Sequence, residues 1–114
     1  MGVKEIIRRY DKSQVKFTKH AEIRLTQRGF SKEFVINVLF DLDKLVFEEF
    51  QEERKVYKLV YNLSRKYNLV IVVTFEKDFI KVVTLYCTSK KIQKIIDKSG
   101  GFHIIRKILI TKTT

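Results

Sequence analysis

With 114 residues the chain has room for one domain built around one core. An apolar share of 45%, with nine Phe and five Tyr, argues against a disordered chain. A single cysteine, Cys87, rules out an internal disulfide and a cysteine-held zinc, and fits a reducing, cytoplasmic setting. Residues 1–11 are charged and lack the apolar run of a secretory signal. The longest apolar stretch, residues 69–73, is far too short to cross a membrane, so the expectation is a soluble protein with no membrane partner.

The net charge of +11 is unevenly spread. Residues 1–54 hold 11 Lys and Arg against 10 Asp and Glu, whereas residues 55–114 hold 13 against three, Glu76, Asp78 and Asp97. An excess confined to one half makes a positive face, and such a face attracts polyanions by neutralising phosphates. A lysine-rich surface with no nucleic-acid role would carry the same count.

In chain order, residues 2–12 form a short basic helix anchored by Ile6 and Ile7, followed by a short strand over 15–17. Thr18 caps a helix from 19 to about 27, with Glu22 in its first turn and Gly29 just past its end. Ser31 caps a second helix whose Phe34, Val35, Val38, Leu39 and Leu42 recur at helical spacing. A strand over 45–50 leads through the acidic turn 51–54 into another over 56–63. There Val56, Lys58, Val60 and Asn62 oppose Tyr57, Leu59, Tyr61 and Leu63. The β-branched run 69–75 reads as a central strand covered on both faces, and 80–86 as its return. Ser89 then caps a basic helix with Ile92, Ile95 and Ile96 on one face, stopped by Gly100 and Gly101. Residues 102–110 form a further strand or a docking tail. The fold expected is α+β: two N-terminal helices on an antiparallel sheet of four to five strands, with a C-terminal helix.

The segment Phe17-Thr18-Lys19-His20-Ala21, followed by Arg24 and Arg28-Gly29-Phe30-Ser31, resembles the opening pattern F-T-x-H-A-x-x-R-x-x-x-R-G-I-S of a widespread uncharacterised prokaryotic family. Residues 82–86, Val-Val-Thr-Leu-Tyr, are similar to that family's V-V-T-V-Y strand. The resemblance spans roughly residues 15–96 and implies a place in the RelE/ParE toxin-like, barnase–EndoU–colicin–RelE group. Such a fold packs two N-terminal helices on a curved antiparallel sheet. Many members are metal-independent ribonucleases paired with antitoxins, whereas ParE-type relatives act on DNA gyrase. The chain departs from the pattern in its extension over 1–14, in Phe30 for an aliphatic residue, and in its tail over 99–114. A toxin-like core over 15–98 lies between these ends.

On a helix that starts near Lys19, His20, Arg24 and Arg28 stand four residues apart on one face. Imidazoles change charge near neutral pH, and guanidinium groups fork onto phosphate oxygens. Cleaving RNA without a metal needs a base for the 2′-hydroxyl, stabilisation of the charged transition state, and an acid for the leaving oxygen. His20 is the candidate base or acid, and Arg24 and Arg28 supply the charge. Thr84 and Tyr86 share one side of their strand, and they join this set if that side faces the helix. The bland alternative gives His20 a structural hydrogen bond and pairs both arginines with acidic residues between 41 and 53.

Tyr57, Tyr61 and Tyr67 lie among Lys55, Lys58, Arg65 and Lys66, an interleaving that suits stacked bases and phosphates, or equally an ordinary core. Lys90, Lys91 and Lys94 extend the basic set along the C-terminal helix. His20 and His103 are too isolated to hold a metal, the acidic residues around 41–53 read as a solvated turn, and Cys87 reads as an inert core thiol. No cofactor is implied. The leading expectation is a toxin-like protein acting on RNA, with a metal-independent endoribonuclease as its catalytic form. A non-catalytic module for nucleic acid or an acidic antitoxin-like partner is the rival. A structural homodimer joined through the tail is the third reading.

Overall fold

Local chemistry sets the helix boundaries before any packing does. A computed structural model describes residues 2–89. Its first helix, α1, covers Val3–Ile7, and a 3-10 turn over Lys12–Gln14 leads into strand β1, Val15–Phe17. Helix α2, Lys19–Arg28, begins where the Thr18 hydroxyl accepts the Ala21 N–H at 3.1 Å. It ends at Gly29, whose φ of 71° lies in the left-handed region that glycine adopts without steric cost. Helix α3, Lys32–Phe40, opens with Ser31 Oγ accepting the Phe34 N–H at 3.0 Å.

Four longer strands follow: β2, Leu45–Gln51; β3, Val56–Asn62; β4, Tyr67–Phe75; and β5, Ile80–Ser89. The strand order is β1-β5-β4-β3-β2. From β2 to β5 each strand is antiparallel to the next, as short turns require. β1 is parallel to β5, so the sheet is mixed and not antiparallel throughout. The short-turn argument governs consecutive strands only, and β1 reaches β5 across two helices and three strands.

One core fills the space between the helices and the sheet. It gathers Val3 and Ile7 of α1, Ala21 and Leu25 of α2, Val35, Val38 and Leu39 of α3, the alternate residues Leu59 and Tyr61 of β3 and Leu69, Ile71 and Val73 of β4, and Val82 and Leu85 of β5. Val3 and Ile7 anchor α1, whereas Ile6 stays half-buried, because Ile7 and Val3 are four residues apart on one helix face. Tyr61, fully buried, donates its hydroxyl proton to the Leu39 carbonyl at 2.7 Å and so satisfies an orphan acceptor in the last turn of α3.

On the far side of the sheet Val56, Val60, Val70 and Val72 form a second, smaller cluster with Val83 and Tyr86 against it. β4 is therefore buried on both faces, as its unbroken β-branched run requires. Ser89, expected to cap a helix, instead ends β5, whose pairing with β4 carries the strand past the expected end at Tyr86. The rest of that helix, over 90–98, and the apolar segment over 102–110 lie outside the described residues, as do Lys90, Lys91, Lys94 and His103.

Candidate nucleic-acid interface

The register of β4 against β5 slips between Val72 and Val73: Val73 faces Val82, while Val72 faces Thr84. One residue of β5 is thus supernumerary, a β-bulge at Val83. The bulge decides the side on which the later residues of β5 stand. Val82 and Leu85 both enter the core beneath the helices, three residues apart. Strict alternation from Val82 would turn Thr84 and Tyr86 toward α2; the extra residue turns them to the far side, where Tyr86 meets the valine cluster. The bulge also sets α2 in place. The Thr18 amide donates to the Val82 carbonyl at 3.0 Å, and the Thr18 hydroxyl donates to the Val83 carbonyl at 2.8 Å.

From that anchor α2 runs along β5 toward Cys87. His20 is exposed in its first turn, Arg24 is half-buried, and Arg28 is exposed in its last turn. Among the described residues there are two ion pairs, Lys32–Glu22 at 3.3 Å and Lys44–Asp41 at 3.6 Å, and neither involves Arg24 or Arg28. The alternative in which both arginines are neutralised by the acidic stretch is thus absent from the described ion pairs. The α2 trio and the Thr84–Tyr86 pair occupy opposite faces of the sheet, so the five residues are not gathered on one surface.

Arg28 lies close enough to the end of β5 to oppose the rise that burial imposes on the Cys87 thiol. That rise disfavours the thiolate, in keeping with an unreactive core cysteine. Tyr86 is likewise held above the usual phenol range, first by burial and then by the Glu49 carboxylate, with Arg54 acting against both.

The basic residues read from the sequence separate into two groups. Arg65, Lys66 and Tyr67 are exposed at the β3–β4 turn, and Tyr67 faces Ser89 in the ladder. This is the end of the sheet that Arg28 approaches, and between residues 62 and 75 the chain carries no carboxylate. Lys55 and Lys58 belong elsewhere. Lys55 sits in the β2–β3 turn beside Glu52 and Glu53, with a φ of 54°, and half-buried Lys58 stands opposite Glu49. Of the three tyrosines, Tyr61 is sealed in the core, Tyr57 packs its ring against Phe50 and Phe75 at 4.9 and 5.1 Å, and Tyr67 alone presents an open face.

Charge follows the same division. Residues 2–28 carry eight Lys and Arg against three acidic residues, 29–54 carry three against seven, and 55–89 carry six against two. Within the elements themselves, α2 and β5 carry Lys19, Arg24, Arg28 and Lys81 against Glu22, whereas β2 and its turn carry Glu48, Glu49, Glu52 and Glu53 against Arg54 and Lys55, a distribution that a split at residue 54 conceals. Among the described residues no group of three or more His, Cys, Asp and Glu has the closeness of a metal site. No described helix is long and apolar enough to cross a membrane. An open cavity of about 290 Å³ between Tyr10, Phe75 and Lys77, and one of about 600 Å³ at the β2–β3 turn, both lie away from His20. No family model, no curated protein and no solved structure matches the chain.

Proposed function

We propose that the chain is an RNA-directed protein of the RelE/ParE toxin-like kind, which takes single-stranded RNA along the α2–β5 flank. The observation that carries this reading is the exposed trio Arg28, Arg65 and Lys66, none of them in a described ion pair, at the end of the sheet where Tyr67 offers an exposed ring, with Arg24 one turn back along α2. Guanidinium and ammonium groups meet phosphates there, and a base stacks on the tyrosine. In the catalytic form of the reading, exposed His20 moves the proton of the 2′-hydroxyl or of the leaving oxygen, while Arg24 steadies the charge on phosphorus.

The placement of Thr84 and Tyr86 on the opposite face favours a second reading, a non-catalytic module on the same flank. It removes two of the polar groups that would orient a phosphate beside His20. In that form an acidic protein partner or RNA occupies the cations and no bond is cut.

One experiment separates these readings. Labelled mixed-sequence RNA is incubated with the protein in EDTA, beside His20→Ala matched for thermal stability. Cleavage by the wild type alone assigns the chemistry to His20. Binding by both without cleavage, repeated in a translating extract, assigns the module. Absence of binding at low salt would sink the RNA reading in either form.

A further inference from the structure

The β2 edge differs from the rest of the surface. Among the described residues β2 pairs only with β3, so one row of its backbone groups has no strand partner. Three large apolar side chains stand open along it: Val46 at 59% exposure, Phe47 at 48% and Phe50 at 50%. Two carboxylates, Glu48 and Glu49, lie between them.

The register assigns each of these to a face. Glu48 and Phe50 oppose Leu59 and Tyr57 on the helix side, whereas Phe47 and Glu49 oppose Val60 and Lys58 on the far side. Each face of the edge therefore shows one phenylalanine and one carboxylate. A strand added there must set an apolar residue beside each phenylalanine and a cation beside each carboxylate. Read along the incoming strand, the required pattern is apolar-basic-basic-apolar. The pattern is symmetric, so it holds for either strand direction.

The sequence contains five adjacent basic pairs, and only two are flanked by apolar residues on both sides: Ile7-Arg8-Arg9-Tyr10 and Ile105-Arg106-Lys107-Ile108. The first is committed elsewhere, because Ile7 is fully buried in the core. Self-pairing of two β2 edges is disfavoured, since it would set Glu48 and Glu49 against their own copies. We propose that the β2 edge is a docking site for residues 105–108 of a second copy of this chain, with Arg106 and Lys107 against Glu48 and Glu49. Donation from a second copy makes docking depend on protein concentration, which donation within one chain would not. Reciprocal donation closes a two-fold dimer with two such edges.

Sedimentation equilibrium on the full chain at low salt tests this. The wild type should sediment as a dimer that loosens as salt rises. Glu48→Lys with Glu49→Lys, and separately Arg106→Glu with Lys107→Glu, should each weaken dimerisation by about 100-fold, because like charges then meet across the strand pair. Combining all four substitutions should restore the dimer. Circular dichroism on each variant confirms the fold, and the substitutions at 106 and 107 leave every residue of the described sheet unchanged. A monomeric wild type, a dimer indifferent to either reversal, or a fourfold variant that stays monomeric would each overturn the proposal.

Discussion

The two flanks of the sheet are built from similar strands and finished in opposite ways. At the β5 flank a short parallel strand, a threonine cap and a helix cover the edge, and cations collect outside it. At the β2 flank no described strand or helix covers the edge, and each of its faces shows one phenylalanine and one glutamate. Covering an edge removes backbone groups that would otherwise recruit a strand, and leaves the side chains as the means of recognition. An open edge recruits through backbone and side chains together. The two proposals follow this difference: a charged ligand at the first flank and an added strand at the second.

The largest expected effect tests how unequal the flanks are in stability. Ile71, fully buried at the centre of β4, touches the core shared by all three helices. Measured in the Arg106→Glu, Lys107→Glu background, where the proposed docking is broken, Ile71→Ala should cost about 2–5 kcal/mol in denaturant unfolding, whereas Phe47→Ala at the β2 edge should change it by less than about 0.5 kcal/mol. Comparable losses in that background would mean that the β2 edge is packed within one chain. Next in size is the division of cations. Arg28→Ala with Arg65→Ala and Lys66→Ala should weaken RNA binding by roughly 10- to 100-fold and reduce the salt slope by about 2, the share of three phosphates on a single strand. Lys55→Ala with Lys58→Ala, beside carboxylates, should weaken it less than about threefold. Filter binding across a salt series measures both.

What was legible in the sequence was what local chemistry decides. Thr18, Gly29 and Ser31 announce their caps because the bonds they make lie within three or four residues. The two sides of β3 follow from simple alternation, and they hold. Parallel pairing of β1 with β5 was not legible, since 65 positions separate Val15 from its partner Ile80. The candidate site divides along the same line. The His20–Arg24–Arg28 stripe is a property of one helix, while the side taken by Thr84 and Tyr86 depends on a single extra residue at Val83. No residue type at that position signals it. The openness of β2 was equally hidden, because Val46, Phe47 and Phe50 have the composition of an interior strand.

The bulge itself supports the next prediction. Thr18 caps α2 with one hydroxyl function and ties it to the Val83 carbonyl with the other. Thr18→Ala should lower stability by about 1–2 kcal/mol, at the upper range for a lost cap, while Thr18→Ser should recover most of it. If alanine costs no more than a few tenths of a kcal/mol, β1 alone holds the flank closed and the bulge contact is incidental. Thermal unfolding of the three proteins side by side decides between these.

The smallest effect couples the flanks. Glu49 on β2 reaches Tyr86 on β5 electrostatically across the far side of the sheet, adding to the burial that already raises the phenol. Tyr61 is raised as well, by burial and then by Glu48. For both groups the folded state holds its proton more tightly than the unfolded chain. Their contribution to stability is therefore complete below about pH 10, where a free tyrosine ionises, and is lost as pH climbs through the higher folded values. Unfolding measured between neutral and strongly alkaline pH should show stability falling from about pH 10 upward. Glu49→Gln should move the Tyr86 phenolate absorbance step, identified by its loss in Tyr86→Phe, back toward that value without reaching it, because burial is the larger cause. Raised salt should shift the wild-type step the same way, since exposed Glu49 is open to screening. An unmoved step in both conditions would separate the flanks electrostatically and leave burial as the whole cause.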